Sequence, residues 1–413
     1  MKRRDFLKLA GAVSLAGCAT SAPSKARVVV IGGGFGGATA AKYIRLWAPS
    51  IDVVLVEREA SFISCPISNL VLAGYSSMQN ISLGYDGLRR HGVTVVQDEA
   101  VGIDAAKKTV RLARGGDIGY ERLVVSPGID FTFGDVQGYD GAMQAGTVLH
   151  AWKAGPQTTA LRQKLEQMAN GGVYVLSIPL APYRCPPGPY ERMSMVAAYF
   201  KQAKPRSKVL VLDANPDVTS KGGLFKRAWS ELYPGIIEYR GNANVVAVEA
   251  GAVRTEFDTV KGDVLNVVPP HRAGEIAAKS GLITTNNRWC DVDWRTMESK
   301  AVKGVHVLGD ATLSAPGMPK SGSMANNHAK IAAAGIVELL NGRSPQPVKI
   351  INTCYSFVAE KEAIRVSSVH EWEPGQGTLV PVKGAGGVSA ARSEAEASFA
   401  WNWARTIWAD SFA

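Results

Sequence analysis

The sequence predicts an α/β protein with two Rossmann-like dinucleotide-binding domains and a small α+β segment on the C-terminal side. Three stretches carry that expectation. Arg27 to Glu57 reads strand, glycine loop, helix and strand, in RVVVIGGG, FGGATAAKYIRLWA and IDVVLVE. VHVLGDATL is a buried strand closed by Gly309 and Asp310, and the helical pattern AKIAAAGIVELL follows it after a loop. Between these blocks, VYVLSI and KVLVLDAN repeat the buried-strand pattern in a second βαβ-like unit.

In the first block Gly32, Gly34 and Gly37 have the GxGxxG spacing. That spacing permits a tight turn, close backbone approach to a pyrophosphate and close helix–strand packing. Glu57 ends the second strand about 20 residues on, where a carboxylate can accept from ribose hydroxyls. Short strands and a hairpin then lead to a strand ending at Ser126, Pro127 and Gly128. The expected organisation is a nucleotide-binding domain at 25–137 and 282–343, a second domain at 138–281 and a tail at 344–413. The second domain is expected to begin with a helix through TTALRQKLEQMAN, and the tail to end in a short helix through FAWNWARTIWADSF. After VYVLSI the loop PLAPYRCPPGPY offers one glycine and five prolines. Prolines lack the N–H donors that cradle a pyrophosphate, so a nicotinamide dinucleotide is disfavoured there.

With 413 residues, 46% of them apolar, the chain can bury two or three cores. Its net charge of +10 is spread without Lys/Arg runs or interleaved aromatics, which argues against nucleic acid. A positive field suits small anionic substrates or an acidic partner, and a plain basic surface explains it equally. MKRRDFLKLAGAVSLAGC, with Arg3 and Arg4 ahead of a short apolar stretch, reads as a twin-arginine export signal over 1–24. The stretch falls short of the roughly 20 apolar residues that span a bilayer. A periplasmic location, where disulfides persist, is therefore expected. Leu15 to Cys18 also fits a lipoprotein signal that would acylate Cys18, and cleavage near Ala22 is the alternative.

The five cysteines are Cys18, Cys65, Cys185, Cys290 and Cys354. They form no CxxC, no CxxCH for haem and no Cys/His cluster with zinc spacing, so neither metal nor haem is expected on this chain. Cys290, in NNRWCDVDW, has no evident partner and reads as a structural free thiol.

Taken in order, the three blocks resemble the flavoproteins with two dinucleotide-binding domains, the glutathione reductase-like pyridine nucleotide–disulfide reductases among them. That resemblance implies FAD. Gly32, Gly34 and Gly37 would hold its pyrophosphate, Glu57 its adenosine ribose, and Gly128 would line it. Asp310, after Gly309, would bind the ribityl or pyrophosphate region, although a strand-end turn or helix cap is its simpler role. YRCPPGPYER, NTCYS, SCPISN, AWKAG and MPKSGSMANN together resemble the flavoprotein subunits of the flavocytochrome c sulfide dehydrogenase family.

This closer resemblance implies a redox-active Cys185–Cys354 disulfide beside the flavin, open to attack by hydrosulfide. A structural disulfide tying the tail to the second domain is the alternative. It also implies a thioether from Cys65 to the flavin, although Pro66 departs from the larger residue expected there and a buried free thiol is the alternative. Lys320, in MPKSG, would stabilise the anionic reduced flavin ring, or would be a solvated loop lysine. Glu191 would manage protons on incoming sulfide, or would only favour the helix dipole. Electrons would leave to a c-type cytochrome on another chain. A sulfide:quinone oxidoreductase is the rival enzyme, with Trp401, Trp403 and Trp408 as a membrane-facing stripe or as core packing. A non-catalytic flavin-bearing subunit that docks a cytochrome is the rival outside catalysis.

Overall fold

The computed structural model describes residues 26–413, so the export signal and Cys18 lie outside the described residues. At the centre of a seven-stranded sheet lies Arg27–Ile31, whose last four residues are buried. It pairs in parallel with Asp52–Glu57 on one side and Arg122–Val125 on the other, so that Val30 stands opposite Leu55 and Val124. Thr94–Gln97 extends one edge, and Val305–Val307 pairs in parallel with Arg122–Val125 towards the other. Such continuous apolar strands need cover on both faces. The helices Phe35–Trp47 and Gly322–Leu340 supply part of it and pack on each other.

The second sheet has five strands, all parallel, in the order Val148–Leu149, Val264–Val267, Val173–Ile178, Lys208–Asp213 and Ile237–Arg240. An antiparallel pair, Ile129–Phe131 with His271–Ala273, bridges the two halves at the crossings of the chain. The chain is thus α/β with glutathione reductase-like dinucleotide-binding architecture. The helix expected through TTALRQKLEQMAN forms at Pro156–Gln167, but a helix at Tyr139–Gln144 and the strand Val148–Leu149 precede it. Two residues are too few to show a strand's alternation in sequence.

The tail forms a three-stranded antiparallel sheet, Lys349–Ala359, Glu362–Glu373 and Thr378–Val388, and then the helix Glu394–Phe412. That helix is 19 residues long where a short one was expected. Ser393 caps it by accepting from the Glu396 N–H, and Glu394 and Glu396 sit in its first turn, where the dipole favours them. Its tryptophans face inward: Trp408 donates to Ser64 Oγ at 3.0 Å, and Trp401 meets Phe357 edge-on at 6.3 Å. Among the described residues no helix is long and apolar enough to cross a membrane.

Candidate active site

A cavity of about 800 Å³ runs from the glycine loop to the tail sheet, within the roughly 300–1,000 Å³ usual for cofactor clefts. Gly32 has φ +93°, and a Cβ there would lie 2.3 Å from the Ser126 carbonyl oxygen. At Gly37 a Cβ would meet the Gly32 carbonyl oxygen at 1.8 Å, so this glycine serves helix–strand contact and does not line the cavity. Gly34 does line it, immediately before a helix N-terminus that no side chain caps. The free N–H groups and the dipole there suit a pyrophosphate. Glu57 Oε2 accepts from the Gly33 N–H at 2.6 Å, which fixes the carboxylate on the same wall.

Gly128 and Gly309, both at positive φ, and Asp310 complete this end. Asp310 Oδ1 is buried without a partner among the described residues, and burial raises its carboxyl above the usual range. A buried acceptor left open beside a cavity fits a hydroxyl-bearing ligand. Together with the uncapped helix and Glu57, it fits FAD.

Three thiols line the opposite end, and all of them are free. Cys65 lies between the short strand Phe62–Ile63 and the helix Ser68–Ala73, with Sγ 3.8 Å from the Trp152 carbonyl oxygen. Cys185 adopts φ +60°, uncommon for a residue with a Cβ. Its loop is pinned by its own N–H to the Lys320 carbonyl at 2.8 Å, and its thiol packs over Gly188. Cys354 projects from the strand Lys349–Ala359, and its thiol lies 3.4 Å from Asn352 Oδ1. The structure therefore brings Cys185 and Cys354 to one cavity as thiols, without the S–S bond that the resemblance implied. Burial pushes both thiols up. Lys221, Asn352 and Ser321 pull Cys354 back down, whereas Cys354 and Glu191 push Cys185 further up.

Glu191, in the first turn of Gly188–Ala203, reaches the same wall. It accepts from Asn69 Nδ2 at 2.7 Å and from the Phe357 N–H at 2.8 Å, and burial raises its carboxyl despite these bonds. Lys320 is a correction: its side chain does not line the cavity. The ammonium donates to the carbonyls of Asp310 and Thr312 and lies 3.7 Å from the centre of the Trp289 ring. Packing on that ring, with two carbonyls to satisfy, outweighs exposure to the cavity. Cys290 is fully buried in the core of the first domain.

Two features were not singled out in the sequence. Arg192 is 2% exposed and holds the turn that carries Trp152, donating to the carbonyls of His150 and Ala151 and to Asn266 Oδ1. At the strand end matching Glu57 in the second sheet, Asp213 is already engaged. Tyr190 and Tyr239 donate to its Oδ2 at 2.7 and 2.8 Å, and the Asn215 N–H and side chain donate to its Oδ1. No oxygen is left for a second ribose. Arg192 shows in sequence only as part of YRCPPGPYER, and Asp213 only as a strand-end acid.

Residues 26–171 match the pyridine nucleotide-disulphide oxidoreductase family. Residues 158–269 match the central part of the sulfide dehydrogenase [flavocytochrome c] flavoprotein chain, and 346–412 the flavocytochrome c sulphide dehydrogenase flavin-binding family. Mitochondrial sulfide:quinone oxidoreductase of Mus musculus is 24% identical over 336 residues, 74% of this chain and 71% of the mouse protein. A sulfide dehydrogenase [flavocytochrome c] flavoprotein chain of Chlorobaculum thiosulfatiphilum is 62% identical over 45 residues, 11% of this chain and 94% of that sequence. The solved sulfide:quinone oxidoreductase of Aquifex aeolicus superposes with a TM-score of 0.77 at 19% identity, covering 94% of this chain and 91% of that one. At that identity the likeness is one of fold.

Fold and cavity together define a FAD-binding oxidoreductase of the pyridine nucleotide-disulphide type. Within that class the chain is related to the sulfide:quinone oxidoreductases and to the flavocytochrome c flavoproteins.

Proposed function

We propose that this chain is a periplasmic sulfide dehydrogenase that oxidises hydrosulfide at a Cys185–Cys354 disulfide and delivers electrons through FAD to a c-type cytochrome. The observation that carries the reading is the convergence of Cys185 and Cys354, from different domains, on the cavity that also holds the glycine loop and Asp310. Hydrosulfide attacks one disulfide sulfur, the S–S bond breaks, and a persulfide and a thiolate remain. Glu191, raised by burial, is placed to take the proton from incoming sulfide. Arg184 and Arg192 on the same wall attract the anion. Bound FAD supplies the two-electron acceptor that can release electrons singly. Gly32, Gly34, Glu57, Gly128, Gly309 and Asp310 hold it, and Cys65 is the site for a thioether.

Sulfide:quinone oxidoreduction is the second reading, favoured by the long match to the mouse protein. The inward packing of Trp401 and Trp408 supports the cytochrome-linked reading, because it removes these rings from a membrane-facing stripe. The pair of free thiols in the cavity argues against a purely docking role. Anaerobic addition of sulfide should bleach the flavin, and cytochrome c should restore its colour faster than a quinone. Bleaching by NADH but not by sulfide would overturn the proposal.

A further inference from the structure

Lys221 has no part in the chemistry described so far. It stands just before the helix Gly222–Leu232 at φ +57°, a left-handed conformation that a side-chain-bearing residue rarely adopts. The side chain runs inward, 8% exposed, past the ring of Phe225. Its ammonium donates to Ser356 Oγ at 2.8 Å and to the Cys354 carbonyl at 3.3 Å. Successive side chains of a strand alternate faces, so Cys354 and Ser356 share one face of Lys349–Ala359, and the ammonium sits on that face. Both of its partners are neutral. A buried cation compensated only by a carbonyl and a hydroxyl is costly until an anion forms beside it.

The ionisable groups facing it from neighbouring elements are Cys354, Glu191, Cys185 and Glu396. Of these, Glu191 is already held by Asn69 and Phe357, and Glu396 accepts from Ser389. Cys354 acts on it most strongly, and burial brings the lysine down to about 8, so it stays largely charged at neutral pH.

We propose that Lys221 is a positioning residue that stabilises the thiolate of Cys354, making Cys354 the leaving sulfur and Cys185 the persulfide carrier. The proposal rests on the disulfide reading above. Hydrosulfide bonds to Cys185 Sγ, the Cys185–Cys354 bond breaks, and its electron pair passes to Cys354 Sγ beside the ammonium. The proton stays on the outer sulfur of the Cys185 persulfide.

The test is alkylation of the reduced holoprotein by iodoacetamide across about pH 6 to 10, with each cysteine followed by peptide mass. Cys354 should react at lower pH than Cys185. Lys221→Met, which keeps the apolar stem, should slow Cys354 alkylation near pH 8 by about tenfold, one unit of thiol pKa, and Lys221→Arg should restore it. Earlier titration of Cys185 in the wild type, or an unchanged Cys354 rate in Lys221→Met, would overturn the proposal. The wild-type order can be read even if the variant folds poorly. Sulfide is absent from this assay, so a wild type whose flavin sulfide fails to reduce would defeat the sulfide reading separately.

Discussion

The N–H of Cys185 donates to the carbonyl of Lys320 at 2.8 Å, tying the loop that carries one thiol to the turn that opens the helix Gly322–Leu340. One hydrogen bond thus couples the second domain to the flavin side of the cavity. It also places the backbone of Lys320 at the site while its side chain points elsewhere.

Replacing Cys185 or Cys354 by Ser removes the electrophilic sulfur pair. Each variant should retain FAD and lose flavin bleaching by sulfide, measured anaerobically at the flavin absorbance maximum. Bleaching at the wild-type rate in either variant would exclude the disulfide route.

Asp310→Ala deletes the open acceptor at the flavin end of the cavity. In a Cys65→Ser background, where any thioether is absent, FAD affinity should fall by about 1–3 kcal/mol, roughly 5- to 150-fold, in a fluorescence titration.

Acid precipitation separates the two states of Cys65. Wild-type protein should keep its flavin in the pellet, and Cys65→Ser should release all of it. Complete release from the wild type rules out the thioether.

Asp213 fills the place of a second ribose acceptor with its own chain's hydroxyls. NADH should therefore leave the flavin oxidised. Asp213→Ala strips a shared acceptor from Tyr190 and Tyr239, and should cost about 1–3 kcal/mol for each hydroxyl left unpaired, read from urea unfolding.

Burial brings Lys320 down from 10.5 to about 7. Between these values the unfolded chain keeps the proton and the folded chain does not, so this group adds stability as pH rises through that window. Lys320→Met should lose that rise. Comparing urea midpoints of variant and wild type near pH 7 and pH 10 isolates it from Lys221.

The glycine loop, Glu57, Gly309 and Asp310 were legible because each belongs to a local strand–turn pattern whose chemistry follows from spacing. The cysteines were legible as residue types, and their grouping came from resemblance. Lys221 and Cys354 are 133 positions apart, and Asn69 and Glu191 are 122 apart, so no local pattern announces either contact. Lys320 shows the other limit. The sequence placed it in the right turn, but Trp289 and two carbonyls decide where its ammonium goes.

Phe412 stacks on Phe62 and meets Phe35 edge-on beside the glycine loop, while Thr39 bonds Ser411 across 372 positions. Trp403, on the same helix, lines the cavity. The cavity wall is therefore assembled from 31–128, 309–325 and 400–403, and none of these stretches encloses it alone. During synthesis the ribosome must release all three before the pocket can close. Cofactor capture then follows folding of the whole chain and cannot nucleate on the first βαβ unit as it emerges.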